Sequence, residues 1–388
     1  MALPDYVVLA AGPGKRLWPI SESTCKPMAR VLEKQVAEWI VEGIAPNANK
    51  IIIIVGQKKE QVIERFKEKP YANKIKFVEQ TEQKGTGHAV LQAEKAVESD
   101  SFVVVNGDNF FNPSVFPLVA KECAKGGWFT VTPRVAERGR YGAYQVEDGL
   151  VKKVSEKTEK GPGFININLF HAPKSFFELL KQLKPSVRGE LEVTDALQQF
   201  FSQEKVRAVE LKGYFNDIGT YWDYLDANAY ACQELMPAKV LGTIEDGARV
   251  DGKLFLGKGS VLKTGALVEG NCFIGENCVI GRGAELHGNT VVESNCTIGA
   301  AEVNSSVIMR NSRVSDGAKV CFSVLCEDVH VDKNSQLACK RPDGKTITAK
   351  LNGTELDSHR AELGSVIGRG VHLGENSRIA AGALVATQ

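Results

Sequence analysis

The hydrophobic positions of this 388-residue chain follow two different patterns, and the first covers residues 1 to about 235. Short apolar and β-branched runs at 6–10, 51–55, 75–78 and 102–105 alternate there with longer mixed stretches at 36–44, 60–69 and 87–97. Uninterrupted apolar runs of strand length are typical of parallel strands that are covered on both faces. The alternation predicts a layered α/β domain whose ligand loops follow the carboxyl ends of the strands.

From about residue 240 the aliphatic residues recur at every sixth position. The residue four positions after each of the first nine aliphatic residues is mostly small. The residue directly before this small residue is Gly or Asn in eight of the nine repeats. Gly and Asn enter left-handed backbone conformations at low cost, as a corner repeated every six residues requires. Three hexads make one triangular coil, so a residue stacks on the one eighteen positions later, and Cys278 is predicted to lie over Cys296. The pattern predicts a hexapeptide β-helix, which is left-handed in the families that carry it. The aliphatic positions are Ile244, Val250, Leu256, Leu262, Val268, Ile274, Ile280, Leu286, Val292 and Ile298.

The six-residue period slips after Ile298 and later recovers. It resumes at 308, 314 and 320, is interrupted around residues 339–362, and returns at 367, 373, 379 and 385. A solenoid that recovers its register after an insertion is still one domain. We therefore expect two domains, residues 1–236 and 237–388, with an excursion from the second at 339–362.

Composition and charge exclude several classes of protein. The net charge of +1 gives no sign of a nucleic-acid-binding surface, and no apolar stretch reaches the 18 or so residues of a membrane span. The first residues lack the basic and apolar regions of a signal peptide, so a cytoplasmic protein is expected. The nine cysteines are odd in number and contain no C-x-x-C pair, so we interpret them as reduced structural residues.

The loop directly after the first predicted strand carries candidate phosphate ligands. It reads LAAGPGKRL from Leu9 to Leu17. Its glycines let backbone N–H groups approach phosphate oxygens, and Lys15 and Arg16 add positive charge. The third glycine of a dinucleotide fingerprint is missing, and the spacing is not that of a Walker A loop. An ordinary glycine turn after a strand is the alternative.

Together with eight later motifs, this loop resembles the sequence of the sugar-nucleotide pyrophosphorylases, a family of sugar-1-phosphate nucleotidylyltransferases. The motifs occur in the family's order: KPM at 26–28, QTEQKGTGHA at 80–89, NGD at 106–108, YG at 141–142, EK at 156–157, ININLF at 165–170, GELEVTDA at 189–196 and DIGT at 217–220. The resemblance spans about residues 5–228. It is closest to archaeal two-domain enzymes related to the bifunctional N-acetylglucosamine-1-phosphate uridylyltransferase/acetyltransferase. It implies a Rossmann-like nucleotidyltransferase domain followed by the left-handed β-helix.

The resemblance also implies a reaction and a set of residues. A sugar 1-phosphate (glucose 1-phosphate or N-acetylglucosamine 1-phosphate) would attack the α-phosphorus of UTP or dTTP, and pyrophosphate would leave. Arg16 would stabilise the pyrophosphate, and Lys26 the α-phosphate. The nucleotide-binding residues would include Leu9 and Ala11, with Gly12 and Gly14 around the triphosphate and with Gln80, Gly85 and Thr86 bound to a pyrimidine base.

Two aspartates and three sugar contacts complete the implied site. Asp108 and Asp217 would bind Mg²⁺, which takes one or two carboxylates together with phosphate oxygens. Asp108 has the alternative of a turn aspartate, and Asp217 that of a helix N-cap. Gly142, Glu156 and Asn166 would contact the sugar, although Glu156 also fits a solvated run of charges at 152–160. Asn168 stands where the family has glycine, which leaves the identity of the sugar open.

The β-helix departs from the family at its acetyltransferase site. Asp316 stands where the related enzymes have a histidine base, Lys319 where they have a tyrosine, and residues 332–335 replace a glycine-rich segment. An aspartate with a pKa near 4 is a far weaker base than histidine. We expect a β-helix that assembles a homotrimer and whose acetyltransferase activity is absent or much reduced. The alternatives are a bifunctional enzyme that also acetylates an amino-sugar phosphate, and a non-catalytic regulatory homologue.

Overall fold

The computed structural model describes residues 3–12 and 14–387, which form two compact units. The first unit comprises residues 3–12, 25–28 and 35–217, and the second comprises 14–24, 29–34 and 218–387. The strands up to residue 217 are β1 Asp5–Ala10, β2 Arg30–Val31, β3 Lys34–Gln35, β4 Ile51–Val55, β5 Ile75–Glu79, β6 Ser101–Asn106, β7 Asn109–Phe111, β8 Trp128–Thr132, β9 Arg134–Val135, β10 Gly142–Glu147, β11 Leu150–Glu156, β12 Gly163–Asn166, β13 Phe170–Pro173, β14 Val206–Glu210 and β15 Phe215–Asp217.

Seven α-helices accompany these strands in the described residues. They are α1 Val36–Ile44, α2 Lys59–Phe66, α3 Thr86–Leu91, α4 Val115–Ala124, α5 Phe176–Lys181, α6 Val193–Gln203 and α7 Tyr221–Tyr230, with 3₁₀ turns at Lys15–Leu17, Lys26–Met28, Ala45–Asn47 and Ala72–Lys74 and a π turn at Ala231–Leu235. The four predicted strands and the first two predicted helices are confirmed, although α2 ends three residues early. The predicted helix at 87–97 is wrong beyond Leu91, because the chain continues there in turns with three-residue bonds such as Ala96 N–H to the Ala93 carbonyl.

The first unit is built on one eleven-stranded sheet in the order β5-β4-β1-β6-β13-β8-β14-β11-β10-β12-β9. One part of this sheet is parallel and consists of strands β5, β4, β1 and β6. Each of these strands contains one of the short apolar runs predicted from the sequence. The core between the sheet and its helices contains the fully buried side chains of Val7, Ile52, Ile54 and Phe102. This half of the sheet has the predicted Rossmann-like arrangement, and its strand ends carry the loops of the candidate site.

The second unit contains the predicted left-handed parallel β-helix. Its strands are Lys239–Val240, Thr243–Ile244, Arg249–Asp251, Leu254–Leu256, Val261–Leu262, Leu267–Ile274, Val279–Ile280, Glu285–Val292, Thr297–Ile298, Glu302–Asn304, Val307–Ile308, Arg313–Val314, Lys319–Cys321, Val324–Leu325, His330–Val331, Gln336–Leu337, Val366–Ile367, His372–Leu373, Arg378–Ile379 and Leu384–Val385. The first coils have the predicted eighteen-residue register, with Leu262 opposite Ile280 and Ile280 opposite Ile298. The aliphatic residues from Leu256 to Ile298 are buried in one continuous core, with Cys278 and Cys296 among them.

The slip after Ile298 has a structural cause. Val292 pairs with Ile308 and Ile298 with Val314, so each of these coil steps spans 16 residues instead of 18. The next step, from Val314 to Val331, spans 17. Shorter corners therefore keep the aliphatic residues facing inward while the sequence period changes.

The interruption at 339–362 is an excursion from the coil, as the sequence predicts. It contains an antiparallel hairpin formed by Thr348–Leu351 and Thr354–Asp357. The coil register resumes directly after it, because Leu325 pairs with Ile367 and Val331 with Leu373. Backbone hydrogen bonds of the neighbouring coils thus continue across the insertion.

A buried ion network ties the β2–β3 hairpin to the β-helix within the second unit. The Arg30 Nη2 atom lies 2.7 Å from Glu293 Oε2 and 2.7 Å from Glu327 Oε1. The Arg310 Nε atom donates to Glu33 Oε1 at 2.7 Å. Glu293 is 0% exposed, and burial raises the pKa of its carboxyl even though Arg30 acts in the opposite direction. A charge buried this deeply depends on its partner for stability.

The remaining features agree with the composition. The nine cysteines are free thiols, and six of them are buried. No helix among the described residues is long and apolar enough to cross a membrane.

Candidate active site

The carboxyl ends of the parallel strands meet where the sequence places the phosphate loop. The Gly107 N–H donates to the Leu9 carbonyl at 2.8 Å, which holds the turn after β6 against the end of β1. The Gln83 side chain donates to the Ala11 carbonyl at 2.8 Å. Gly12 follows in an exposed segment, and Pro13 lies outside the described residues. Leu9, Ala11 and Gly12 therefore lie at the edge of the sheet where the loops after β1, β5 and β6 meet.

Gly14 and Arg16, the other predicted residues of this loop, belong to the second unit. Gly14 has a φ of 64° and precedes the 3₁₀ turn Lys15–Leu17, so a left-handed residue begins the turn. The Arg16 guanidinium lies against Gly219, where a Cβ would come within 3.3 Å of its Nη2 atom. A side chain at Gly219 would therefore make a tight contact with the guanidinium, and Arg16 would have to shift by a few tenths of an ångström.

The predicted base-binding segment is held by the GELEVTDA motif, a contact that sequence reasoning missed. The Gly87 N–H donates to the Leu191 carbonyl at 2.8 Å, and the Leu191 N–H to the Lys84 carbonyl at 2.7 Å. The Thr86 hydroxyl accepts from the Val193 N–H at 3.1 Å, which leaves the hydroxyl hydrogen for another acceptor. The Gln80 amide is buried and donates to the Gly85 carbonyl at 3.3 Å. The three predicted base contacts therefore lie in one braced loop.

Lys26, Asp108 and Asp217 form the charged centre of the first unit. The Lys26 Nζ atom lies 2.6 Å from Asp108 Oδ2 and 2.8 Å from Asp217 Oδ1. The Lys26 side chain is only 11% exposed. Burial by itself would lower the pKa of Lys26, but the two carboxylates more than offset it and raise the pKa above its ordinary value. The ammonium therefore stays charged at neutral pH.

A short ladder explains how residues so far apart in sequence come together. Strands β7 and β15 pair antiparallel with Asp217 opposite Asn109, which is the residue after Asp108. Asp108 directly precedes β7 and Asp217 ends β15, so the two aspartates lie next to each other at one end of this ladder. The N-cap of α7 is Thr220, whose hydroxyl accepts from the Asp223 N–H, so the alternative of Asp217 as a helix cap is wrong.

The donor set of this centre fits a magnesium ion. Two carboxylates held on one ammonium are close enough to share a cation, and Mg²⁺ commonly uses one or two carboxylates together with waters and phosphate oxygens. In the described residues no group of three or more His, Cys, Asp or Glu side chains could hold a metal by itself. The centre therefore suits an ion that arrives with phosphate ligands better than a resident structural metal.

Three adjacent strands bring the predicted sugar contacts into one row. Gly142 on β10 pairs with Glu156 on β11 and with Asn166 on β12. A Cβ on Gly142 would lie 3.3 Å from both Asn166 Cβ and Glu156 Oε2, so these side chains project to the same face of the sheet. Gly142 leaves a gap between an amide and a carboxylate. Glu156 belongs to this row and not to a solvated run of charges.

A family model described as nucleotidyl transferase matches residues 5–234, which is more than half of the chain. The chain belongs to the nucleotidyl transferase family. A second model, described as a GMPPB C-terminal domain, matches residues 250–350 in the β-helix.

Relatives within this nucleotidyl transferase family match almost the whole chain. It is 39% identical to the bifunctional protein GlmU of Methanococcus maripaludis, over 98% of this chain and 94% of the relative. It is 31% identical to the bifunctional sugar-1-phosphate nucleotidylyltransferase/acetyltransferase of Sulfurisphaera tokodaii, over 97% and 92%. The protein is therefore a nucleotidyltransferase, as the sequence motifs predict.

A solved structure agrees with this fold. A putative glucose-1-phosphate thymidylyltransferase from Bacillus anthracis, in complex with sucrose, superposes with a TM-score of 0.54 at 26% identity. The match covers 61% of this nucleotidyltransferase and 97% of that chain. UDP-glucose pyrophosphorylase complexed with UDP-glucose has the same TM-score at 24% identity, covering 60% and 100%, and shows likeness of fold.

Arg188 contacts the row of predicted sugar-binding residues, and the sequence motifs did not predict this contact. Its Nη2 atom lies 2.8 Å from Glu156 Oε1 and 2.7 Å from Glu192 Oε1. Burial raises the pKa of Glu192, although Arg188 opposes this effect. Arg188 fixes the orientation of the Glu156 carboxylate. Arg188 directly precedes the GELEVTDA motif, and this position was the one indication of a role that the sequence offered. Its pairing with Glu156 could not be predicted, because the two residues are 32 positions apart.

The backbone conformation and contacts of Asn168 account for an asparagine where the family has glycine. Its φ is 51°, a left-handed conformation that asparagine adopts more readily than other non-glycine residues. Its backbone N–H donates to Asn166 Oδ1 at 2.8 Å, and its Oδ1 accepts from Asn166 Nδ2 at 2.9 Å. The change from glycine therefore preserves the backbone and adds a partner for Asn166.

Asp316, at the expected position of the acetyltransferase base, has a structural partner. Its Oδ1 atom accepts from the Ala300 N–H at 2.8 Å, which links two successive coils. Lys319, at the expected tyrosine, pairs with Glu302 at 2.8 Å. Both side chains thus brace neighbouring coils of the β-helix.

Proposed function

We propose that this protein transfers a nucleotidyl group from UTP or dTTP to glucose 1-phosphate or N-acetylglucosamine 1-phosphate, with Mg²⁺, and releases pyrophosphate. The observation that carries the proposal is the Lys26 ammonium held by Asp108 and Asp217 at the edge of a nucleotide-binding sheet. The names of the relatives, which include nucleotidyl transfer to a sugar 1-phosphate, agree with this reaction.

The reaction requires charge stabilisation more than acid–base chemistry. An oxygen of the sugar phosphate forms a bond to the α-phosphorus, and the bond from that phosphorus to pyrophosphate breaks in line. No proton needs to be taken from the attacking phosphate. Lys26, which stays protonated, would neutralise charge on the α-phosphoryl group, and Arg16 would do so on the leaving pyrophosphate.

Asp108 and Asp217 would hold the magnesium ion. Bound there, Mg²⁺ would neutralise phosphate charge and orient the phosphates. The single Lys26 ammonium faces two carboxylates, so the cluster keeps one net negative charge that would favour binding of a cation. A divalent cation held there would neutralise that remaining charge and part of the charge of the phosphates.

The loops would divide recognition between nucleotide and sugar. Leu9, Ala11, Gly12 and Gly14 would present backbone to the phosphates. Gln80, Gly85 and Thr86 would contact a pyrimidine base. Gly142, Glu156 and Asn166 would bind the sugar, because an amide and a carboxylate flank the space that Gly142 leaves open.

Pyrophosphate release over a grid of nucleoside triphosphates and sugar 1-phosphates tests the proposal. Turnover is expected with UTP or dTTP and glucose 1-phosphate or N-acetylglucosamine 1-phosphate, and chelation of Mg²⁺ should abolish it. Absence of turnover with every pair at millimolar Mg²⁺ would sink the proposal and favour a regulatory homologue.

Replacing Gly142 by alanine should weaken sugar binding selectively. The new methyl group would lie 3.3 Å from Asn166 Cβ and Glu156 Oε2, closer than most such contacts, and would move both groups. We expect about a tenfold rise in the KM for the sugar phosphate, since small displacements of positioning groups are costly. The KM for the nucleotide should not change. Gly213→Ala, whose methyl group would meet only ordinary contacts, is the matched control.

We propose that residues 1–236 act as the catalytic domain in the cytoplasm and that residues 237–388 assemble a homotrimer. Sedimentation of the full chain tests the trimer, and a dimer or monomer would contradict it. Because Asp316 and Lys319 brace the coils, we expect no release of coenzyme A thiol with acetyl-CoA and glucosamine 1-phosphate. Thiol release above the uncatalysed rate would instead establish a bifunctional enzyme.

A further inference from the structure

The amide of Asn166 is constrained on three sides. Its Oδ1 atom accepts from the Tyr144 hydroxyl at 2.8 Å and from the Asn168 N–H at 2.8 Å. Its Nδ2 atom donates to Asn168 Oδ1 at 2.9 Å. A backbone N–H can only donate, so it fixes which end of the amide is the oxygen.

Tyr144 cannot exchange roles in this network. Burial raises the pKa of its hydroxyl, which therefore remains protonated and able to donate. The neighbouring Thr130 hydroxyl donates to the Leu169 carbonyl at 3.2 Å. The Tyr144 hydrogen is thus available for Asn166, and both lone pairs of Asn166 Oδ1 are used.

Only one hydrogen of Asn166 then remains for a ligand. An asparagine side chain has two N–H donors, and Asn168 takes one of them. Asn166 is half-buried and borders the gap at Gly142, where a Cβ would lie 3.3 Å from its own Cβ, so we expect the remaining donor to serve a ligand in this gap. Across the gap at Gly142, the Glu156 carboxylate presents Oε2 as an acceptor.

We propose that Asn168 is a positioning residue that fixes the Asn166 amide as a single donor and so sets the sugar specificity of the pocket. The inference rests on the proposed function. The preferred sugar would place one oxygen that accepts from Asn166 next to a hydroxyl that donates to Glu156. With glycine at 168, the amide would keep the bond from the backbone N–H but regain a second free donor.

Asn168→Gly is the direct test, because glycine adopts the left-handed φ of 51° without strain. The loss of one neutral hydrogen bond should raise the KM for the sugar phosphate about five- to tenfold. The KM for the nucleotide should stay within twofold. Asn168→Asp keeps the acceptor for Asn166 Nδ2 and should restore most of the sugar affinity.

KM values for a series of mono-deoxy glucose 1-phosphates distinguish a positioning role from a merely structural one. A merely structural role of Asn168 would not make the effect of its replacement depend on which hydroxyl the analogue lacks. For the analogue that lacks the oxygen bound by Asn166, the wild type and Asn168→Gly should have equal KM values. For the other analogues the difference between the two enzymes should persist. Asn376→Gly, another asparagine at positive φ (60°), controls for the flexibility that glycine adds and should behave as wild type.

The outcomes separate this inference from the proposed function. No wild-type turnover with any substrate pair would overturn the proposed function and the inference with it. Wild-type turnover together with an Asn168→Gly enzyme of unchanged sugar KM would overturn the inference alone. Equal changes in both KM values, or an Asn168→Asp enzyme that behaves like Asn168→Gly, would also overturn it.

Discussion

Replacing Asp108 by asparagine should lower the rate of nucleotidyl transfer at least about a hundredfold, since it removes one of two carboxylates that would hold the metal. Asparagine has the same size, and Lys26 keeps Asp217 at 2.8 Å, so the fold should be retained. The measurement is pyrophosphate release at saturating substrates over a titration of Mg²⁺. Residual activity should require a higher Mg²⁺ concentration than the wild type.

Asp148→Asn is the matched control for this change. Asp148 lies in the turn between β10 and β11 with a φ of 51°, which asparagine also tolerates. The control removes the same charge away from the proposed centre and should leave the rate and the Mg²⁺ dependence unchanged. An Asp108→Asn enzyme with wild-type rates would refute the role of the carboxylate pair.

Replacing Arg30 by alanine should destabilise the β-helix unit by about 3–5 kcal/mol, because it leaves the buried Glu293 carboxylate without its partner. Glu293 is 0% exposed, and among the described residues the other cation close to it is Arg310, whose Nε atom is 3.9 Å from Oε2. Hydrogen exchange of amides in the coils around residues 286–310 would report the loss locally. Lys263→Ala, which breaks the exposed pair with Glu245, should leave exchange almost unchanged.

The pH dependence of the Arg30→Ala protein provides a second test. Burial raises the pKa of Glu293, so the folded state binds this proton more tightly than the unfolded state. Without Arg30 the pKa should rise further, and stability should fall as pH rises and recover as pH is lowered. The double variant Arg30→Ala/Glu293→Gln should lose this pH dependence and regain part of the stability. Equal pH profiles for both variants would exclude Glu293 as the cause.

The sequence predicts the fold better than the contacts of the site. Short apolar runs and the six-residue period depend on which residues are neighbours along the chain, and both survive in the structure. The helix at 87–97 was wrong because its end depends on bonds that the amphipathic pattern does not specify. The shortened coils after Ile298 could be recognised as a slip, but not as steps of 16 and 17 residues.

The candidate site shows the same division. The motifs predict Lys26, Asp108 and Asp217 as separate residues that share a function in related proteins. Their proximity depends on the β7–β15 ladder, which joins positions more than a hundred residues apart. Arg188 and Glu156 likewise meet only when the loop before α6 folds back on the sheet.

The sequence by itself determined the α/β alternation, the hexapeptide coil and the order of the motifs, because each is a periodicity or a local pattern along the chain. Only the tertiary structure decided that Lys26 bridges two carboxylates, that Asn168 holds the amide of Asn166, and that Arg30 neutralises Glu293. Each of these contacts depends on where the chain brings side chains together, and a hydrogen bond or ion pair forms only at those short distances.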